Sequence, residues 1–260
     1  MEERSMEPYG LALTDYFKGD HSAKQTFHRD DGIDFEMPIS VFFRGEMDFS
    51  RIEQSALDLC RGKVLDVGAG SGDHSLALQN RGLNVVALDV SPEAVHIMTE
   101  RGVRNVCRAD IFKLEAGKFD TLLMLGHGIG MVGDLVGLRR FLGHAHTLLN
   151  PGGNLVFDSL DVRCTSDPVH LAYHENNRKK NRYIGEIHFQ ILYKGIKGKP
   201  FSWLQIDPET LGREAESAGW SCEISCQESW GDYLAQLTPL PTNVAREITK
   251  GNQNTDSCLS

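Results

Sequence analysis

The stretch Lys63-Val64-Leu65-Asp66-Val67-Gly68-Ala69-Gly70-Ser71-Gly72 constrains the fold of this chain more than any other. An apolar run ends in an acid, passes through glycines at alternate positions and opens into a helical pattern. That pattern predicts a buried parallel strand, a tight turn and a helix N-terminus. Such a turn lets a ligand approach bare backbone, while the helix end points its free N–H groups at it. Two ligand classes use this arrangement. The dinucleotide fingerprint G-x-G-x-x-G/A wants a small third residue, so that helix and strand pack closely. Counted from Gly68 that position is the charged Asp73; counted from Gly70 it is the small Ser75. The glycine pattern alone leaves both classes open.

The flanking sequence repeats the theme. Ser50-Arg51-Ile52-Glu53 is a capping box that starts a helix just before the first strand. Asn84 to Asp89 is a second apolar run ending in an acid. In Ser91-Pro92-Glu93 a cap, a first-turn proline and a dipole-matching acid start the next helix. Asn105 to Arg108 is a weaker strand leading to Asp110-Ile111, and Phe119 to Leu125 a fourth strand leading into Gly126-His127-Gly128. Leu135, Leu138, Leu142, Ala145 and Leu149 recur at helical spacing until Asn150-Pro151-Gly152-Gly153, and Asn154 to Phe157 is the fifth strand. Strands alternating with helices predict an α/β fold, a doubly wound Rossmann-like and mostly parallel sheet.

After Asp158 the pattern changes. Tyr183 to Tyr193 and Phe201 to Ile206 alternate apolar and polar residues, which predicts an antiparallel β-hairpin insertion. Asp207-Pro208-Glu209 caps another helix, and Trp220 to Gln227 and Tyr233 to Leu237 are closing strands. Ahead of the core, Leu11, Leu13, Tyr16 and Phe17 suit one helix, whereas His21, His28, Arg29, Asp30 and Asp31 show no period. The expected organisation is an N-terminal helical cap over 1–49, a core over 50–160 and the insertion over 161–206. A closing helix and strands over 207–238 and a flexible polar tail over 239–260 complete it.

A net charge of −9 disfavours a nucleic-acid partner, since a phosphate-tracking surface is basic. No apolar run reaches membrane-spanning length and the N-terminus lacks a signal core, so the expected location is cytoplasmic. The cysteines are scattered without zinc or disulfide spacings, which suits reduced thiols; Cys222 and Cys226 are expected on one face of a strand. His170 and His174 have the i, i+4 spacing of a helical metal pair but no third ligand, so they read as a solvent-facing pair and no metal site is expected. Arg178-Lys179-Lys180-Asn181-Arg182 reads as a solvated basic loop, with RNA or an acidic substrate as the minority reading.

Asp66-Val67-Gly68-Ala69-Gly70-Ser71-Gly72 reads D-x-G-x-G-x-G and resembles the first motif of the class I S-adenosylmethionine (SAM) methyltransferases, of the small-molecule type. The resemblance implies that Asp66, Gly68, Ala69, Gly70 and Gly72 meet the cofactor's amino-acid tail and ribose. Asp89, followed by Val90, sits where the family holds the ribose hydroxyls, a vicinal diol that gives a carboxylate two charge-assisted hydrogen bonds. Asp110-Ile111 resembles the motif at the adenine edge, and Leu125-Gly126-His127 the strand end beside the methyl group. The Asn-Pro-Gly-Gly turn and the antiparallel closing strand also resemble the family, over about 61–159 and 208–237. His74 is placed near the cofactor's tail or as a helix cap, and Arg44 near the cofactor's carboxylate or as an exposed arginine.

The implied activity is in-line transfer of a methyl group from SAM to an O, N, S or C nucleophile of a small molecule, with S-adenosylhomocysteine (SAH) as product. His127 is the candidate catalytic base, beside readings as a substrate-orienting group or a plain loop histidine. Leu125-Gly126-His127-Gly128 is unlike the Asn/Asp-Pro-Pro-aromatic motif that holds planar amino groups, which argues against DNA methylation. The N-terminal segment and the hairpin lie outside the resemblance and are the expected walls of the acceptor pocket. An NAD(P)-dependent oxidoreductase and a non-enzymatic SAM-binding protein stand as alternatives. Sequence does not reach the acceptor's identity or the oligomeric state.

Overall fold

In the computed structural model, residues 3–115 and 117–241 are described, so the predicted tail from residue 242 onward lies outside the described residues. The chain begins with helix α1 (Glu3–Phe17), and two strands the sequence did not announce follow it, β1 (Lys24–Arg29) and β2 (Asp34–Pro38). Their signal is weak because their apolar residues, Phe27, Phe35 and Met37, are few and spaced by charge. Helix α2 (Arg51–Leu59) starts at the predicted capping box: the Ser50 hydroxyl accepts from the Glu53 amide, and the Glu53 carboxylate accepts from the Ser50 amide.

The core then alternates as expected: β3 (Lys63–Val67), α3 (Asp73–Asn80), β4 (Asn84–Asp89), α4 (Pro92–Glu100), β5 (Val106–Arg108), β6 (Phe119–Met124), α5 (Leu135–Leu148) and β7 (Leu149–Leu160). Asn150-Pro151-Gly152-Gly153 is not a turn ahead of the fifth strand but a bulge inside it. Leu149 already pairs with Phe119, and the register shifts before Asn154 pairs with Thr121. Helix α6 (Pro168–Lys179), β8 (Glu186–Tyr193), β9 (Ile196–Lys197) and β10 (Phe201–Leu204) make the insertion, and α7 (Pro208–Ser217), β11 (Trp220–Gln227) and β12 (Asp232–Pro239) close the chain.

Among the described residues, one seven-stranded sheet has the order β11-β12-β7-β6-β3-β4-β5. Its strands run parallel from β5 to β7, and β12 and β11 are antiparallel. One face buries Leu65, Leu122, Phe141, Phe157 and Trp220, and the other buries Val64, Leu123, Val156, Leu57 and Leu78. Covered on both faces, the strands are continuous apolar runs, as a doubly wound sheet requires. The chain winds outward through β4 and β5 and then returns to place β6 on the other side of β3. That reversal is the topological switch point, where open α/β sheets bind ligands beyond their carboxyl ends.

The second sheet, β10-β8-β1-β2, joins the N-terminal segment to the insertion, with Phe27 opposite Ile191 and Arg29 opposite Phe189. The two additions that sequence treats as separate are therefore one unit. Tyr9 and Leu13 of α1, Ala94 and Ile97 of α4, and Ile191 and Tyr193 of β8 bury one cluster that docks this unit on the core.

Two minor expectations are corrected. The register shift between Ile224 and Cys226 puts Cys222 and Cys226 against opposite face clusters. His170 and His174 are not a solvent-facing pair: His174 is buried, and His170 lies 3.0 Å from the Arg29 guanidinium and stacks on Phe35.

Candidate active site

The glycine turn leaves β3 with Gly68, Gly70 and Gly72 all at positive φ, the region an L side chain avoids. A side chain at Gly70 would also strike the Tyr9 hydroxyl, 2.7 Å from a Cβ placed there, and one at Gly68 would meet Met131 at 2.9 Å. Tyr9 and Met131 thus roof bare backbone. Behind the turn the Asp89 carboxylate accepts from the Gly70 and Ser91 amides, each at 2.9 Å. It is buried, and burial pushes its pKa up to about 6 against the lowering by the Ser91, Gly70 and Val90 amides. An acid kept there at such cost calls for a partner. Tyr9 is also buried, and burial with the nearby Asp89 and Asp73 charges holds its phenol protonated.

Asp66 is buried at the strand end and accepts from the Ser75 hydroxyl at 2.6 Å; burial raises its pKa, opposed by His74 and Ser75. Asp110 is half-buried and caps a short 3-10 turn by accepting from the Phe112 amide, while Ile111 is buried beside it. Val90 is half-buried after Asp89, and Ala69 is half-buried within the turn. Asp66, the glycine turn, Asp89 and Asp110 thus lie at the carboxyl ends of β3, β4 and β5, adjacent strands.

His74 and Arg44 meet elsewhere. The Arg44 guanidinium grips Glu53 through two hydrogen bonds of 3.0 and 2.5 Å and its Nε donates to the Val41 carbonyl, so it is half-buried and engaged on three sides. His74 Nε2 lies 2.8 Å from the same Glu53. Burial alone would raise the Glu53 pKa, but hydrogen bonds from His74, Arg44 and the Ser50 amide hold it well below the usual carboxylate range. Burial alone would lower the His74 pKa, and Glu53 with Asp66 and Asp73 raises it instead. Asp73 accepts from the Arg44 amide and the Arg101 guanidinium, and the Ser71 hydroxyl donates to the Phe42 carbonyl. The charge that spoils the dinucleotide fingerprint thus fastens the N-terminal segment to the glycine turn.

At the end of β6, Leu125 is buried, Gly126 exposed, and His127 takes φ of 56°, unusual for a side chain with a Cβ. The Asp158 carboxylate at the end of β7 accepts the His127 amide at 2.9 Å and fixes that conformation. The imidazole is held from both sides: Nε2 lies 3.1 Å from Asp232 Oδ1, and Nδ1 lies 3.2 Å from Gln205 Nε2. Burial alone would lower the His127 pKa, but the Asp232 hydrogen bond and the Asp158 and Asp232 charges raise it. The Trp230 indole donates to Asp232 at 2.8 Å and is otherwise exposed. Trp203 lies flat against Gly130, where any side chain would displace it.

Sequence reading missed Tyr9, Asp158, Gln205 and Asp232. Asp158 alone carried a signal, an acid ending a buried run like Asp66 and Asp89. Tyr9 is one aromatic on an amphipathic helix, and Gln205 and Asp232 carry no local mark.

A family described as "Methyltransferase domain" matches residues 46–223. A solved structure, a SAM-dependent methyltransferase from Bacteroides fragilis in complex with S-adenosyl-L-homocysteine, is 33% identical with a TM-score of 0.81, covering 93% of this chain and 98% of that one. A cobalt-precorrin-6B C(15)-methyltransferase (decarboxylating) of Salmonella typhimurium is 37% identical over 130 residues, 46% of this chain and 64% of that protein. A ubiquinone biosynthesis O-methyltransferase of Xanthomonas oryzae pv. oryzae is 31% identical over 116 residues, 40% of this chain and 46% of that protein. The chain thus spans about half to two thirds of the length of the curated relatives it matches.

Proposed function

This chain belongs to the methyltransferase-domain family, and from that premise we propose that it is a SAM-dependent methyltransferase acting on a small molecule. The observation that carries the reading is Asp89, a buried carboxylate of raised pKa at a strand end, beside a glycine turn stripped of side chains. The residues fit the cofactor. Asp89 is the partner for a ribose diol, the turn offers bare backbone to the amino-acid tail, and Asp110 with Ile111 stands one strand further out. Tyr9 and Met131 close over the turn. SAM supplies a methyl group already activated by its sulfonium, so alignment and exclusion of water are left to the protein.

The acceptor half is read from the other side of the switch point. The insertion and N-terminal segment carry Phe27, Phe189, Phe201 and Trp203 on one face of their sheet, half-buried rings in edge or tilted contact. Such a wall supports an acceptor with an apolar body. His127 is the proton acceptor of this half, its cation stabilised by Asp158 and Asp232. We read Arg44 and His74 as anchors of the N-terminal segment rather than cofactor contacts. Cys60, Cys107, Cys164, Cys222 and Cys226 are free thiols, which supports a cytoplasmic setting, and no helix among the described residues is long and apolar enough to cross a membrane. Incubation with radiolabelled SAM and a panel of hydroxyl, amine and thiol acceptors tests the reading. Label in at least one product is expected, whereas hydride transfer from NADH or NADPH without methyl transfer would overturn it.

A further inference from the structure

The His127 ring has two nitrogens, and the groups facing them are chemically opposite. Asp232, from the last strand, offers only acceptor oxygens to Nε2, so Nε2 carries a proton there. Gln205 follows β10 and faces Nδ1. Its orientation is fixed from behind, because its carboxamide oxygen accepts the Leu160 amide at 3.1 Å and lies 3.4 Å from the Ser159 hydroxyl. The amide nitrogen is therefore the end turned to Nδ1, and it has only hydrogens to give. A proton on Nδ1 would oppose it.

We propose that Gln205 and Asp232 are positioning residues that hold neutral His127 as the Nε2–H tautomer, with the lone pair of Nδ1 as the proton-accepting atom of the site. The Gln205 N–H marks where a donor to that lone pair sits. An acceptor whose O–H takes its place passes the proton to Nδ1 and attacks with the oxygen pair so freed. An amine attacks with its own lone pair and passes an N–H proton to Nδ1 as the new bond forms. In both cases the pair of the broken S–CH3 bond stays on the departing sulfur. Protic oxygen or nitrogen acceptors fit this arrangement, and carbon nucleophiles without such a proton do not. The cation so formed faces Asp232 from β12 and Asp158 from β7, and Gln205, from the segment after β10, is neutral. The ring is 30% exposed, enough to be reached without unfolding the sheet. The link to the acceptor rests on the methyltransferase reading; the tautomer does not.

The test is nitrogen-15 NMR of ring-labelled histidine in the full chain, with His127→Asn to assign the signals. Above its pKa, His127 is expected to show a protonated Nε2 and an unprotonated, hydrogen-bonded Nδ1. Gln205→Leu is expected to mix the tautomers and raise the His127 pKa, since a donor that opposes protonation is lost. Asp232→Asn, which keeps the shape, is expected to lower that pKa about tenfold in proton affinity or more. A wild-type ring protonated on Nδ1, or a titration unmoved by Asp232→Asn, would overturn the assignment even if Gln205→Leu fails to fold. Binding of SAH by the same samples is scored separately, so loss of the methyltransferase reading and loss of the tautomer assignment are distinguishable.

Discussion

The two halves of the site are built in opposite ways. The half we propose for the cofactor comes from one run, Asp66 to Ile111, in which each candidate residue ends a strand, lies in the turn after it or begins a helix. The half we propose for the acceptor gathers His127, Asp158, Gln205 and Asp232 from the end of β6, β7, the segment after β10 and β12. The first uses backbone geometry that a short motif encodes. The second uses side chains that meet only once the antiparallel strand β12 has been laid against β7, which sets Asp232 opposite Leu160. Two histidines sharpen the contrast. His74 and His127 both have raised pKa values from neighbouring carboxylates, yet His74 is locked into the Glu53 anchor while His127 stands half-open at the switch point.

If the halves are separable, the largest effect falls on chemistry alone. His127→Asn is expected to lower kcat for a protic acceptor by about 10²–10⁴-fold, the usual worth of a positioned base. SAH affinity in that variant should stay within about twofold, as no cofactor group is removed. Since His127 accepts a proton only when neutral, and its carboxylate neighbours raise its pKa, wild-type activity is expected to rise with pH through a value above the ordinary one for histidine. Stopped assays across pH, with SAH titrations beside them, check both statements.

Removing Tyr9 attacks the seam between the halves. Tyr9 is buried in the cluster that docks α1, edge-on to Phe42 at 5.1 Å. Tyr9→Ala is expected to cost about 3–5 kcal/mol in denaturant unfolding, as for other buried aromatics. Tyr9→Phe keeps the ring and is expected to cost much less. A small loss in Tyr9→Ala would mean that α1 is held by something else.

Glu53 joins the N-terminal segment to the core, and Glu53→Gln is expected to destabilise by about 1–3 kcal/mol. The sign with pH follows from its partners. Glu53, held below the usual carboxylate range, contributes stability above that range and loses it as pH falls toward its folded value. His74, raised, contributes below the ordinary histidine value and loses it as pH rises through its folded value. The wild-type advantage over Glu53→Gln should therefore peak in mildly acidic buffer and shrink on both sides, readable from Tm against pH.

The smallest effect concerns Asp89. Its raised pKa means that the native state without cofactor loses stability as pH rises through about 6. Asp89→Asn lacks that titrating group and should show a shallower slope, what remains coming from Asp66 and Asp158, which burial also raises.

The strand–helix alternation of the main sheet and the glycine turn were readable because buried parallel strands, caps and glycines act locally, whereas the strand order and its switch point come only with the structure. The place of Asp89 at a buried strand end was readable for the same reason. The pairing of Arg44 with Glu53 was not: a lone arginine says nothing about which acid it will find, and Glu53, read only as a cap, is shared by three partners. Strands β1 and β2 escaped because their apolar face is completed by β8, far along the chain. Gln205 and Asp232 escaped because their role exists only in the assembled sheet.

The most direct test is calorimetric titration of wild type, Asp89→Asn and His127→Asn with SAH, with NAD and NADP as parallel ligands. Micromolar SAH binding is expected in wild type and His127→Asn, weakened about tenfold or more in Asp89→Asn, with no binding of NAD or NADP. Binding of NAD or NADP in place of SAH, or equal weakening by both substitutions, would contradict this reading.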